Sequence, residues 1–371
     1  MKRTAWAGTL LGCCLAAAIC LIGCDGGNGE SADSVPDYQG LSIENLPAST
    51  RLDVPTRRSM LGFCYMESLS MMLAHLNGAI NATDVFAAAG LGAPVFCGDV
   101  GGALRAMNGS TAAAQIAAMN LFGVKWVVGH AAGGNDGTYL DGAAGKLVYP
   151  AEQALAYLKA ALSAGAPVQV HLDLGYMGGY NCKFSNMAQG SSHFMAVTGY
   201  DADRIYVNDT YTTAGNENQY KDMGVPNDVF LSAWQHGGDM NAGNELQTGP
   251  YWMLFFTATA ASDVNIPAFS TVTAVQKSLS INNLDNLGTY ISKIQSGEYG
   301  SPSLSDMSGL ARVKNLFGEY LIDNGLQEAG QAYQALGSRY EGSWGSWSKA
   351  EIINALNTIR SDEMNARTLL P

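Results

Sequence analysis

Cys64, His193 and Asp209 have the residue types and the chain order of a thiol nucleophile, its base and the group that orients the base. The thiolate is the nucleophilic form of cysteine, and an adjacent imidazolium stabilises it and later protonates the leaving group. A third group that accepts the other ring N–H sets the tautomer of the imidazole. We assign this third position to Asp209 and keep Asn208 as the alternative, because neighbouring strand residues point to opposite faces.

The sequence around these residues predicts elements that can hold them in place. Apolar residues recur at spacings of three and four after Cys64, which predicts a helix that ends before Asn77-Gly78. The unpaired N–H groups at the start of a helix favour a thiolate there. Residues 193–200 and 204–208 predict a β-hairpin. His193 therefore opens one strand, and Asp209 follows the next.

A purely structural interpretation of these residues stays open, since cysteine and histidine are often simply buried in a core. His171 lies in the alternating segment 167–172, where we expect it on the sheet surface or, alternatively, supporting His193. We expect His130 and His236 to lie in glycine-rich loops. No pair of histidines or cysteines has the spacing of metal ligands, so we expect neither a metal nor another cofactor.

The N-terminus has the pattern of an export signal. Lys2 and Arg3 precede an apolar run from residue 5 to residue 22. The run ends in Leu21-Ile22-Gly23-Cys24, which resembles a bacterial lipobox with cleavage before Cys24 and lipid on its sulfur. An ordinary secretory signal and a short membrane anchor are the alternatives.

The lipobox predicts how the start of the chain is organised and where the protein resides. Residues 1–23 would be the signal peptide, and residues 24–50, rich in Gly, Ser, Asp and Pro, a flexible tether. The formal net charge is −12, and removal of Lys2 and Arg3 subtracts two positive charges to leave −14. This charge argues against nucleic acid as a partner. Lipid on Cys24 would hold the protein at a bacterial cell envelope, outside the cytoplasm.

Three cysteines remain once the signal and the lipobox are set aside: Cys64, Cys97 and Cys182. Outside the cytoplasm, an odd number suggests one disulfide and one free thiol. A Cys97–Cys182 disulfide would leave Cys64 free, and three unpaired thiols are the alternative.

The remaining patterns predict two domains. Residues 51–262 read as helices followed by a mostly antiparallel sheet, an α+β pattern, with Asn227 or Asp228 capping a late helix. Strand patterns cease after about residue 262. Apolar spacing then predicts three helices in residues 263–371, the last opened by the capping box Ser348-Lys349-Ala350-Glu351. We expect a small all-α domain there.

Several motifs occur in an order known from one group of enzymes. Asp53-Val54-Pro55 and then Gly62-x-Cys64-x-x-x-Ser68-Leu69-x-Met71-x-Leu73 resemble the opening of papain-like peptidases related to the bacteriocin double-glycine leader peptidases. The segments 164–168, 193–201 and 207–209 are similar to their later half.

Two features are similar to a narrower branch, the butirosin-type acyltransferase family. They are Leu172-Asp173-Leu174-x-Tyr176 and a helical C-terminal region with Ser308-Gly309-Leu310. The resemblance implies a papain-like cysteine peptidase fold before the helical region. It also implies that Cys64 is the nucleophile, His193 the base and Asp209 the orienting group.

The chain departs from these peptidases at one position. They usually carry a glutamine a few residues before the cysteine, where its amide holds the oxyanion, and residues 56–60 contain none. The Cys64 backbone N–H remains as one donor. Ser59, Arg57 or Arg58 are the candidates for a second.

We therefore expect a membrane-tethered, extracytoplasmic thiol hydrolase, a peptidase or amidase that cleaves a peptide or small amide through a Cys-His-Asp acyl-enzyme. Two alternatives stay open. One is an acyltransferase that passes the acyl group to an amine, and the other is a catalytically inactive binding lipoprotein of the same fold. The missing glutamine favours inactivity, whereas the order and context of the three candidate residues favour catalysis.

Overall fold

The computed structural model describes the chain from residue 35 onward, with several gaps. The described ranges are 35–59, 63–92, 96–97, 104–105, 111–134, 137–178, 187–211, 215–237, 248–257, 261–299, 304–342 and 344–371. The predicted signal peptide, Cys24, Cys182 and the side chain of Cys97 lie outside the described parts. The lipidation and the disulfide therefore stay predictions.

In the described chain, strands and helices are interspersed up to residue 256, and the elements after it are helical. The strands are β1 (Thr50–Arg51), β2 (Phe96–Cys97), β3 (Leu104–Arg105), β4 (Trp126–Ala131), β5 (Gly145–Tyr149), β6 (Val168–Asp173), β7 (Ser192–Tyr200), β8 (Arg204–Asn208), β9 (Met223–Pro226) and β10 (Met253–Phe256). The helices are α1 (Cys64–Leu76), α2 (Ala82–Ala88), α3 (Thr111–Phe122), α4 (Ala154–Ser163), α5 (Asn227–His236), α6 (Phe269–Ser296), α7 (Leu304–Asp323), α8 (Gln327–Tyr340) and α9 (Lys349–Thr368).

The chain divides into two compact units. One contains, of the described residues, 35–82 and Met119–Ile266, and carries the large sheet. The other contains Thr83–Ala118 and Pro267–Pro371, and is mainly helical. Compact units need not coincide with separately folding domains, so the boundary expected between residues 262 and 263 stays a prediction.

The sheet has eight strands, in the order β5-β4-β10-β6-β7-β8-β9, with β1 paired to β7. All pairings are antiparallel except that of β4 with β5. The predicted α+β class is therefore confirmed. The register shifts next to Gly199, where a Cβ would collide with the Thr50 carbonyl oxygen, so glycine lets β1 pair along this strand.

Both faces of the sheet are covered, and β6 shows how. Val168, Val170 and Leu172 point into a core with α4 and α5, since alternate strand residues share a face. On the other face, Gln169 donates from Nε2 to the Tyr65 carbonyl oxygen at 2.8 Å and to Ser68 Oγ at 2.6 Å. This fully buried amide joins the strand to α1, the helix that begins at Cys64.

In the helical unit, α7 and α8 approach closely through small residues. A Cβ on Gly318 would lie 2.7 Å from the Gly330 carbonyl oxygen, so the two helices meet only because glycine occupies that contact. The predicted capping box is confirmed: Ser348 caps α9 and the Glu351 side chain accepts from its N–H. One buried ion pair joins α7 to α9, with Lys314 Nζ 2.6 Å from Glu363 Oε1.

Some expectations were wrong in detail. Helix α6 was not predicted, because its sequence is rich in Ser, Asn and Thr and has a weak apolar period. Pro226, without a side-chain hydrogen bond, precedes α5, while the Asn227 amide donates to the Ala202 carbonyl oxygen at 2.9 Å instead of capping the helix. His130 lies buried in β4 and His236 ends α5, so neither lies in a loop. Among the described residues, no helix combines the length and the apolar character needed to cross a bilayer.

Candidate active site

Cys64 is the first residue of α1, where the sequence placed it. The preceding residue, Phe63, accepts hydrogen bonds from the N–H groups of Met66 and Glu67, which closes the first turn. The Cys64 N–H is one of the four that lack an intrahelical partner at a helix start. The side chain is a free thiol and the residue is half-buried. The sulfur therefore lies at the positive end of the helix dipole.

His193 lies near the start of β7, directly beside Asp209. Its Nε2 is 2.8 Å from Asp209 Oδ1, with the histidine side chain 16% exposed and the carboxylate 1% exposed. Asp209 is itself held in place. Its main-chain N–H donates to the Tyr220 carbonyl oxygen, and its carboxylate accepts from the Thr210 N–H at 2.7 Å. Since Nε2 faces the carboxylate, Nδ1 is the ring nitrogen left for the sulfur.

The charges around His193 favour the imidazolium. Burial on its own lowers the pKa of His193, but the Asp209 carboxylate and the Cys64 thiolate outweigh it. Hydrogen bonds from His193 to both side chains act in the same direction, and the pKa rises to about 10. By reciprocity, an imidazolium that the thiolate stabilises also stabilises the thiolate. His193 is thus placed to exchange a proton with the Cys64 thiol.

Asn208, the alternative orienting residue, is directed elsewhere. Its Nδ2 donates to the Val54 carbonyl oxygen at 2.6 Å and its Oδ1 accepts from the Asp222 N–H at 2.7 Å. The side chain is fully buried in these contacts. The geometry therefore brings Asp209, and not Asn208, to His193.

His171 is buried and not on the sheet surface, so that expectation was wrong. Its Nδ1 is hydrogen bonded to Thr248 Oγ1 at 2.7 Å and its Nε2 to Ser192 Oγ at 2.5 Å. Its ring stacks on Phe194 with centroids 4.5 Å apart. Burial, together with the charge of nearby His193, lowers the pKa of His171 to about 3. The alternation of apolar and polar residues in 167–172 was misleading, because α1 covers the face of β6 that carries His171.

A scan against protein families matches residues 51–240 to a family described as the Peptidase_C39 like family. The match spans just over half of the 371 residues and includes Cys64, His193 and Asp209. The chain belongs to this family. A search of curated proteins finds no match.

Membership in the Peptidase_C39 like family confirms the resemblance to papain-like cysteine peptidases. The family fits a cysteine peptidase-like hydrolase. The family match does not test the narrower similarity to butirosin-type acyltransferases, which stays a prediction.

The segment that usually supplies the oxyanion glutamine in related peptidases makes main-chain contacts here. Ser59 donates its N–H to the Tyr211 carbonyl oxygen at 2.7 Å, and the neighbouring Arg58 forms a β-bridge with the same residue. Arg57 donates from Nη2 to the Ile80 carbonyl oxygen at 2.9 Å. Arg57 is therefore committed to the backbone, and the role of the Ser59 hydroxyl stays a prediction.

Asp173 is a supporting residue that sequence reasoning did not assign to the site. Its carboxylate accepts from the N–H groups of Gly175, Gly190 and Ser191, at 2.9, 2.9 and 3.2 Å. These bonds tie the two ends of the connection that leads into β7 and so position His193. The usable signal was an Asp at a strand end before a glycine, the pattern of a helix cap.

In the part of the chain that the structure describes, no cluster of three His, Cys, Asp or Glu side chains could hold a metal ion.

Proposed function

We propose that this chain is a cysteine peptidase-like hydrolase that cleaves a peptide or amide bond through an acyl-enzyme on Cys64. The contact that carries the proposal is the position of His193, hydrogen bonded on one side to Asp209 and on the other to Cys64. A free thiol at a helix start completes the arrangement. A structural histidine would not need a buried carboxylate and a thiol on opposite ring nitrogens.

The reaction follows from these positions. The Cys64 thiolate attacks the substrate carbonyl carbon, and a C–S bond forms as the carbonyl oxygen takes the negative charge. His193 then gives its proton to the departing amine as the C–N bond breaks, which leaves a thioester. Water attacks the thioester while His193 accepts one of its protons, the C–S bond breaks, and the Cys64 thiolate is restored beside an imidazolium. Asp209 holds the ring in place throughout.

The place of action is part of the same proposal. The positive start, the apolar run and Leu21-Ile22-Gly23-Cys24 support export and lipid attachment on Cys24. A lipoprotein with two or three acyl chains stays on a membrane without further contacts. The substrate would then be a peptide or small amide outside the cytoplasm of a bacterium. The strongly negative net charge supports a partner other than nucleic acid.

The test is site-resolved labelling of the full chain. Iodoacetamide at pH 6 should modify Cys64 at least 10-fold faster than it modifies a free cysteine peptide, as mass spectrometry of the Cys64 peptide would measure. An acyl thioester probe should become covalently attached to wild type and not to Cys64→Ala. A Cys64 that reacts no faster than the free peptide would favour the inactive binding protein and refute the hydrolase.

The same acylated protein separates hydrolysis from acyl transfer. Once the probe is attached, release of free acid in buffer indicates hydrolysis. An amide product that appears only when a primary amine is added, with no free acid, would support the acyltransferase alternative.

A further inference from the structure

Tyr139 carries a buried hydroxyl that the fold leaves without a partner. The residue lies in a short 3-10 turn, Gly137–Leu140, and is 0% exposed. Its carbonyl oxygen accepts from Trp126 Nε1 at 2.9 Å, so the main chain is anchored. Its hydroxyl, by contrast, has no hydrogen-bond partner. Burying an unpaired hydroxyl destabilises the folded state, so such a group in a folded protein calls for an explanation.

A second unpaired donor lies beside it. The ring of Tyr139 packs on Trp252 with centroids 4.8 Å apart, and Trp252 Nε1 is also buried without a partner. Trp252 in turn packs edge-on against Phe194, with centroids 5.8 Å apart. Phe194 also stacks on His171, and Gln169, on the same face of β6 as His171, is hydrogen bonded to α1. The two donors therefore lie on the face of the sheet that is covered by α1, the helix that begins at Cys64.

The surroundings of Tyr139 keep its hydroxyl protonated. Burial raises the pKa of Tyr139 well above its usual value, and the charges of Tyr65 and Cys64 raise it further. Tyr139 therefore keeps its proton at every pH at which the thiolate works. A neutral tyrosine is a hydrogen-bond donor, and tyrosine is among the side chains that stabilise oxyanions in enzymes.

The proposed reaction needs such a donor. Attack by the Cys64 thiolate places a negative charge on the substrate oxygen, and the backbone N–H of Cys64 is one group that can donate a hydrogen bond to it. The glutamine that supplies a second donor in related peptidases is missing from residues 56–60. Arg57 is engaged with the Ile80 carbonyl oxygen.

We propose that the Tyr139 hydroxyl donates the second hydrogen bond to the oxyanion formed at Cys64, with the Trp252 indole N–H beside it. The inference rests on the proposed function. The hydroxyl is closed to water in the ligand-free protein, so the acyl group must displace the side chains that cover it when it binds. Catalytic hydrogen bonds often form only in the substrate complex, and a dry site strengthens them.

Tyr139→Phe in the full chain tests this role, with p-nitrophenyl acetate as the acylating probe. Acylation of Cys64, followed as the nitrophenol burst, should slow by about 10²–10³-fold, the usual effect of removing one oxyanion donor. Alkylation by iodoacetamide should be unchanged, because that reaction displaces iodide and forms no oxyanion. Thermal stability should be equal or higher, because the variant removes an unpaired buried hydroxyl.

Tyr333→Phe is the matched control. Tyr333 is another fully buried tyrosine whose hydroxyl has no partner, and it lies in the helical unit. Removing the Tyr333 hydroxyl should leave the rate of Cys64 acylation at the wild-type value. Its effect on thermal stability should be similar to that of Tyr139→Phe.

The outcomes separate the two proposals. If wild type is acylated faster than Cys64→Ala while Tyr139→Phe is acylated at the wild-type rate, the role of Tyr139 is refuted and the hydrolase stands. If Tyr139→Phe loses alkylation and acylation together, its role is structural and the inference also fails. If wild type is acylated no faster than Cys64→Ala, the proposed function and this inference fall together.

Discussion

Replacing Asp209 with asparagine removes one buried charge from the candidate site with little change of shape. The carboxylate contacts His193 Nε2 at 2.8 Å and accepts from the Thr210 N–H at 2.7 Å through the same oxygen. An asparagine oxygen can keep the bond from Thr210. The variant therefore isolates the electrostatic contribution of Asp209 to the imidazolium.

The size of the effect follows from the pKa of His193. A rise from 6.5 to about 10 corresponds to about 5 kcal/mol in favour of the protonated ring, after burial has acted against it. Asp209 and Cys64 share this stabilisation. If Asp209 supplies about half, its loss weakens the ion pair by about 2–3 kcal/mol, or roughly 30–150-fold in the population of thiolate that it supports.

The assay is the rate of Cys64 alkylation by iodoacetamide between pH 5 and pH 9. In wild type, alkylation should persist below neutral pH and fall only in acid. In Asp209→Asn, the rate at pH 6 should drop by roughly 30–150-fold and approach wild type near pH 9, where the thiolate forms without help. Superimposable profiles for the two proteins would refute the assignment of Asp209.

A charge-matched control lies in the same unit. Asp53 pairs with Lys221 at 2.7 Å, and its side chain is 92% exposed. Asp53→Asn makes the same change of charge far out in solvent, where ion pairs contribute little. It should leave the alkylation profile where it is in wild type.

Two further predictions concern stability. The pKa of His171 is lowered to about 3 in the folded protein, so protonation of this ring opposes folding below its usual pKa of 6.5. The free energy of unfolding of wild type should therefore fall by about 2 kcal/mol between pH 6.5 and pH 5. That of His171→Gln should fall by less, as urea denaturation at both pH values would show. An equal loss in both proteins would contradict this. Lys314→Met leaves buried Glu363 without its cation and should lower the free energy of unfolding by about 3–5 kcal/mol. The double variant Lys314→Met/Glu363→Gln should recover most of this loss of stability. A double variant as unstable as the single one would exclude the unpaired charge as the cause.

Local patterns in the sequence were enough to predict the elements that carry the candidate site. The helix at Cys64, the hairpin of residues 193–208 and the capping box at Ser348 follow from spacings of three, four and two residues and from capping chemistry. Each depends on neighbours in the chain. Strand β5 and helix α6 were missed because their own sequences carry weak periodicity and tertiary packing decides their conformation.

The sequence by itself determined which residue types are available for a thiol nucleophile and which elements hold them. Only the tertiary structure decided between Asp209 and Asn208, because strand parity leaves open which face meets the histidine until β7 and β8 pair. It also placed His171 under α1 and buried the Tyr139 hydroxyl without a partner against Trp252. Contacts between residues far apart in the chain, and the burial they produce, create these partnerships, and no local pattern encodes them.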